Sequence, residues 1–175
     1  MIEVKAVFLD RDGVINNEIG YLHKINDFKF IDGVFDSCLH FSNCGYKIII
    51  ATNQSGIGRE YYTQSDFDVL TKWMLDKFSK NGVEILDVLF CPHTPDSECK
   101  CRKPKPGMFI SAKNKHNINM DSSWMIGDKE TDITGAASSG IKNTILVRTG
   151  HAIDEPNSKA SFIVDSITDT KYLIR

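Results

Sequence analysis

No apolar run in this sequence approaches the roughly 18 residues that a membrane span needs, so no membrane-spanning segment is expected. Basic residues are not in excess either: 21 Lys and Arg face 23 Asp and Glu, a net charge of −2. That balance supplies no field for holding nucleic acid, where a basic surface is expected. The opening Met1-Ile2-Glu3-Val4-Lys5 lacks the apolar h-region of a secretory signal, which predicts a cytoplasmic protein. Internal repeats, low-complexity tracts and a second domain are also missing. The 175 residues, 41% of them apolar, fit one domain over 1–175 with a substantial core, expected to act as a monomer.

What the chain does have is Phe8-Leu9-Asp10-Arg11-Asp12-Gly13-Val14-Ile15. An apolar run from Ala6 to Leu9 ends abruptly in two carboxylates one residue apart. This reads as a buried parallel strand delivering Asp10 and Asp12 to its carboxyl end, where open α/β sheets place their ligands. Two nearby acids repel each other, and a magnesium-sized cation with oxygen ligands would answer that repulsion. On spacing alone the pair could equally form a solvated turn.

The rest of the chain alternates strand and helix signals. Residues 16–32 form an excursion too long for a simple turn, expected to fold over the strand end as a flap. A helix with Val34, Phe35, Cys38, Leu39 and Phe41 on one side follows and stops at Gly45. Tyr46–Ala51 is a second strand, ending in Thr52-Asn53-Gln54-Ser55-Gly56. Thr63 and Asp66 resemble a capping box before a helix with Phe67, Leu70, Met74 and Phe78 at core spacing. Strands are expected at 85–90, 123–126, 144–147 and 162–164, the last at an edge. Helices are expected behind Pro106 and over 131–139. The alternation predicts a doubly wound, mainly parallel α/β sheet with no separate cap domain. Polar clusters after the first, second and fourth strands can then converge on one site.

Asp10, Asp12, Asp128, Thr52 and Lys103 are the groups phosphoryl transfer needs: acids, a hydroxyl and a cation. A carboxylate can serve as nucleophile, and a second acid can exchange protons with the leaving group and water. In order and type these residues resemble the motifs of the haloacid dehalogenase superfamily of phosphatases, a Rossmann-like fold. The resemblance implies Asp10 as nucleophile and Asp12 as general acid/base, with Thr52 on the phosphoryl oxygens and Lys103 as the lysine of the third motif. It also implies Mg²⁺ on Asp10, on the backbone carbonyl of Asp12 and on Asp128 of Gly127-Asp128-Lys129-Glu130-Thr131-Asp132. Asp132 would orient the site.

Cys91-Pro92-His93 and Cys99-Lys100-Cys101 offer three thiolates and an imidazole from two short arms. They read as a closed structural zinc site in a small loop over 91–106, the alternative being a loop with scattered thiols. Cys38 and Cys44 read as ordinary helix residues. Zinc would stiffen the loop and aim Arg102 and Lys103 at a phosphate. The loop is similar to the zinc-bearing branch that contains heptose 1,7-bisphosphate phosphatases and histidinol-phosphate phosphatases. Asp10 to Asn16, Gly20-Tyr21-Leu22-His23, Phe30 to Val34 and Thr52 to Arg59 tilt the resemblance toward the heptose enzymes of nucleotide-activated heptose synthesis. Histidinol phosphate is the other candidate substrate. The resemblance implies that Glu18, Ile19, Gly20, Tyr21, Thr52, Asn53, Gln54, Ser55, Arg102, Lys103 and Lys129 line a sugar-phosphate site. Arg59 reads either as a partner for a second phosphate or as a solvated loop arginine. The short zinc loop and Gly58-Arg59-Glu60, where Ala-Arg-Gly is common, depart from the pattern at the mouth of the site. His40, His116 and His151 read as surface positions, and Lys113 and Lys115 as a solvated helix face.

Overall fold

The computed structural model describes residues 3–175. Six strands form one sheet: β1 (Ala6–Leu9), β2 (Lys47–Asn53), β3 (Ile85–Cys91), β4 (Trp124–Gly127), β5 (Asn143–Val147) and β6 (Phe162–Val164). Their order is β3-β2-β1-β4-β5-β6, and every neighbouring pair is parallel. The chain winds outward from β1 through β2 to β3, then returns to the other side of β1 as β4. The strand order therefore reverses between β1 and β4, the place where doubly wound sheets open a crevice for ligands.

The helices are α1 (Val34–Asn43), the single turn α2 (Ser55–Gly58), α3 (Gln64–Lys80), α4 (Gly107–His116) and α5 (Glu130–Ser138). Side-chain alternation along the strands sorts them into two layers. Val7 and Leu9 of β1, with Ile48 and Ile50 of β2, pack against α1 and α3 through Val34, Phe41, Leu70, Met74 and Phe78. Ala6, Phe8, Ile49 and Ala51 face the opposite side and meet Met108, Phe109, Ala112 and Ala136 of α4 and α5. Burying each of the large side chains contributes roughly 1.5–3 kcal/mol, so both layers clamp β1 in place. Among the described residues, no helix is long and apolar enough to cross a membrane.

The expected elements are found, with shifts at their ends. The capping box is present: Thr63 Oγ1 accepts from Asp66 N at 3.1 Å, and Asp66 Oδ2 accepts from Thr63 N at 2.8 Å. Pro106 caps α4 one position before its first turn. Leu39, expected with the core, is exposed, because it lies one helical step beyond the row of Val34, Cys38 and Phe41. Strand β2 runs two residues further than expected, since Thr52 and Asn53 pair with Phe90 and Cys91 of β3. His40 is a correction too: it is half-buried, its Nε2 lying 2.8 Å from the Ile174 carbonyl, where it ties α1 to the C-terminal segment. Lys115 and His116 are not merely solvated, for both reach Asp87 Oδ2 on β3, at 2.8 and 2.7 Å.

Candidate active site

Asp10 follows β1 directly, and its backbone N–H donates to Ile126 O of β4 at 3.0 Å, so it stands at the switch point itself. The turn behind it closes tightly: Gly13 N donates to Asn16 O at 2.7 Å and Ile15 N to Arg11 O at 2.8 Å. Gly13 has φ +86°, and a Cβ there would lie 2.5 Å from Asp128 Oδ2. Only glycine allows β1's turn to approach β4's acid this closely. Arg11, to which sequence reasoning gave no role, is 2% exposed. Its Nη2 donates to both Asp12 oxygens at 3.0 Å and to Leu22 O at 2.9 Å, tying the excursion over 16–32 to the site.

Lys103 is buried, and its ammonium sits 3.1 Å from Asp10 Oδ1 and 2.7 Å from Asp132 Oδ1, donating also to Ala51 O at 2.7 Å. Asn53 fixes its backbone from both sides: Lys103 N donates to Asn53 Oδ1 at 3.0 Å and Asn53 Nδ2 to Lys103 O at 3.1 Å. Asn53, expected to line the substrate site, thus has its amide engaged in holding the lysine. Asp132 Oδ2 accepts from Asp128 N and Lys129 N, each at 3.1 Å, which ties Asp132 to the backbone on either side of the Asp128 carbonyl. Although burial works against it, the charges of Asp10 and Asp132 raise the Lys103 pKa and keep it cationic. Burial pushes the Asp10 carboxyl well above its ordinary value; Lys103 opposes this, while Asp132, Asp128 and Asp12 add to it.

Asp128 is buried at the carboxyl end of β4. Its Oδ2 accepts from His151 N at 2.9 Å and lies 2.6 Å from His151 Nδ1, whereas the buried Oδ1 has no partner. His151 is exposed, as its surface reading had it, and its ring also reaches Asp128. One oxygen each from Asp10, Asp128 and Asp132 lie within 4.8 Å of one another. A single ammonium among three buried carboxylates leaves excess negative charge, and Asp128 Oδ1 lacks a donor. Both features fit a divalent cation held by oxygen ligands. The Asp12 side chain is turned elsewhere, accepting from Arg11, from Asn16 Nδ2 at 3.0 Å and from Gln54 Nε2 at 3.1 Å. Only its backbone carbonyl is left for the magnesium role implied above.

Thr52 Oγ1 accepts from Gln54 Nε2 at 2.9 Å, which leaves its own O–H to donate to a ligand. Gln54 is held in turn by the Tyr62 hydroxyl, 2.5 Å from Oε1, and Tyr62 stacks on His23 of the excursion. Ser55 opens α2 beside them. At the rim, Glu18 Oε1 accepts from Gly20 N, and exposed Ile19 lies next to them in sequence. The rings of exposed Tyr21 and Tyr61 meet edge to face at 4.8 Å. Arg59 and Lys129 are exposed, and Arg102 Nη1 lies 3.5 Å from His93 O.

The loop over 91–106 closes as its residue types suggested. Sγ of Cys91, Cys99 and Cys101 and Nδ1 of His93 lie within 4.8 Å of one another. Neighbouring ligand atoms are 3.1 to 3.7 Å apart. A tetrahedron with thiolate arms of 2.3 Å has edges of about 3.8 Å, close to these separations, so the cluster could bind zinc. Burial pushes the Cys91 thiol up to about 12, so a cation is needed for it to act as a thiolate ligand. The loop docks on α2, with Gly58 N donating to Pro92 O and Gln54 N to Cys91 O, both at 2.8 Å. Its last ligand is two residues from Lys103. Removing zinc is therefore expected to lower the melting temperature by roughly 5–10 °C, the shift that losing about 2–3 kcal/mol gives in a chain of this size. Thermal unfolding before and after chelation, with zinc measured by mass spectrometry, checks this; an unchanged melting temperature would detach the loop's rigidity from the metal.

The HAD-hydrolase-like family matches residues 100–170. Over 97% of this chain and 96% of the relative, the sequence is 46% identical to the D-glycero-β-D-manno-heptose-1,7-bisphosphate 7-phosphatase of Vibrio cholerae serotype O1. It is 42% identical to the D-glycero-α-D-manno-heptose-1,7-bisphosphate 7-phosphatase of Photorhabdus laumondii, over 98% of this chain and 97% of that one. The fold matches the D,D-heptose 1,7-bisphosphate phosphatase of B. bronchiseptica, solved with magnesium and phosphate. The TM-score is 0.89 at 24% identity, over 97% of each chain. With a sheet that reverses beside Asp10 and relatives that align from end to end, the chain belongs to the heptose-1,7-bisphosphate 7-phosphatase family of HAD-like hydrolases.

Proposed function

We propose that this chain, acting as one catalytic domain, removes the C7 phosphate of D-glycero-D-manno-heptose 1,7-bisphosphate through an aspartyl-phosphate on Asp10, on the way to nucleotide-activated heptose. The observation that carries the chemistry is the buried Lys103 ammonium bridging Asp10 and Asp132 beside an unpartnered Asp128 oxygen. The substrate rests on the names of the relatives.

Both donors to the Asp10 carboxylate, Arg11 N and Lys103 Nζ, act on Oδ1, which leaves Oδ2 to attack phosphorus. As the bond from phosphorus to the C7 oxygen breaks, Asp12 gives that oxygen a proton and the sugar 1-phosphate leaves. Water then loses a proton to Asp12, attacks the phosphorus and frees inorganic phosphate and Asp10. Thr52 donates to a phosphoryl oxygen throughout, and Lys103, its three N–H groups engaged by Asp10, Asp132 and Ala51, supplies positive charge beside the phosphoryl group. Asp10, the Asp12 carbonyl and Asp128 would hold Mg²⁺, whose charge would offset that of the phosphoryl group.

C7 ends an exocyclic arm, so a phosphate on it can reach a strand-end site while the ring stays at the mouth. There the residues from Glu18 to Tyr21, Ser55, Arg59, Arg102 and Lys129 are available to the ring and the second phosphate. A chain without a cap must draw its selectivity from such loops. Relatives at 46% and 42% identity act, by their names, on opposite anomers, so overall identity does not set the anomer. Comparing kcat/KM for both heptose bisphosphate anomers and for histidinol phosphate tests the reading. A preference for one of the heptose anomers by roughly a hundredfold is expected if a charged pair recognises the second phosphate. A preference for histidinol phosphate would overturn the assignment.

A further inference from the structure

We infer that His151 is a positioning residue for Asp128, fixing one carboxylate oxygen so that the other is presented to Mg²⁺; this rests on the magnesium-phosphatase reading above. A carboxylate at a strand end turns freely about its last bond unless something holds it. Here both donors fall on the same oxygen: the backbone N–H of His151 at 2.9 Å and its ring Nδ1 at 2.6 Å, both on Oδ2. A carboxylate only accepts, so Nδ1 carries the hydrogen. Oδ1 is left buried with no partner, the state expected of an atom kept for a cation.

The segment that brings His151 there is built for close approach. It follows β5, and Thr149 Oγ1 donates to Gly13 O at 2.7 Å, pinning it to the turn that carries Asp10 and Asp12. A Cβ on Gly150 would fall 2.1 Å from Asp128 Oδ2, so glycine is what admits the acid beside the loop. The strand after the switch point thus contributes to the site, although it supplies no acid of its own. Partners behind metal ligands typically tune affinity by roughly 10- to 100-fold.

The experiment is calorimetric titration of Mg²⁺ into the zinc-loaded protein without substrate, for wild type, His151→Ala and His151→Asn. The alanine variant keeps the backbone donor and loses the ring; Asn places an amide N–H close to where Nδ1 stood. His151 has a 41% exposed side chain, so neither change should move the metal-free melting temperature by more than a few degrees. The inference predicts Mg²⁺ binding weakened roughly tenfold or more in His151→Ala and largely restored in His151→Asn. Alanine-variant affinity equal to wild type would overturn it. So would equal losses in both variants with lowered melting, which would make the ring a packing element. A wild-type protein that binds no Mg²⁺ would sink the magnesium reading itself, and the positioning role with it.

Discussion

Asp10→Asn is expected to lower kcat on the order of ten-thousandfold or more while leaving the metal-free protein at least as stable as wild type. The loss of turnover follows from removing the nucleophile, since an amide cannot form the aspartyl-phosphate. The stability expectation follows from the electrostatics. Burial, helped by the neighbouring acids, sets the folded pKa of Asp10 above its unfolded value. A group shifted that way contributes stability only at low pH and loses it as pH rises through the folded value. Above that folded value the ionised carboxylate costs stability, and a neutral amide of the same shape relieves the cost. Wild type should gain melting temperature on adding Mg²⁺, and Asp10→Asn should gain much less. Thermal unfolding with and without Mg²⁺, beside steady-state kinetics, checks both halves. A variant that is inactive because it is unfolded would not support the account, and one with full activity would contradict it.

Lys103→Met should have the largest effect on folding. It removes the ammonium that lies 2.7 Å from Asp132 and 3.1 Å from Asp10 and leaves those carboxylates buried without it. Breaking a buried pair from one side costs about 3–5 kcal/mol. Because Asp10 and Asp132 raise the lysine's folded pKa, its stabilisation is present across the neutral range and fades only above the ordinary lysine range. In the variant Asp10, already raised by burial, loses the opposing charge of Lys103, so the deficit should be small at acidic pH and grow as pH rises. Urea unfolding at acidic and neutral pH measures this, and Mg²⁺ should recover part of the neutral deficit. A deficit independent of pH would mean that the lysine acts through packing alone. Phosphate release should fall severely even where the variant is folded, because the phosphoryl oxygens lose their cation.

The residues proposed as catalytic were legible because their signals are local. An apolar strand that stops at Asp10, a β-branched run that stops at Thr52 and a short strand that stops at Gly127-Asp128 each mark a strand tip. Sheet order turns three such tips into one site. Alternation along β2 explains what was less clear: consecutive strand residues point to opposite faces, so Thr52 and Asn53 cannot both face a phosphate. Thr52 turns toward Gln54, and Asn53 turns to the Lys103 backbone. The turn α2 was missed because one helical turn has too few residues to show a period. His151 was missed for another reason: its partner Asp128 lies 23 residues away, and the segment Arg148-Thr149-Gly150-His151 carries no acid to mark a strand tip. The Cys/His cluster, set on two short arms, needed no long-range knowledge. Arg11 carries no such signal, because its place between Asp12 and Leu22 exists only once the excursion has folded back.

The most direct test of the central claim is acid-quenched turnover followed by peptide mass spectrometry, under conditions where the intermediate accumulates. The account predicts a phosphate adduct on the peptide carrying Asp10, removed by hydroxylamine and missing from Asp10→Asn. A phosphorylated residue elsewhere, or continued turnover by Asp10→Asn, would contradict it.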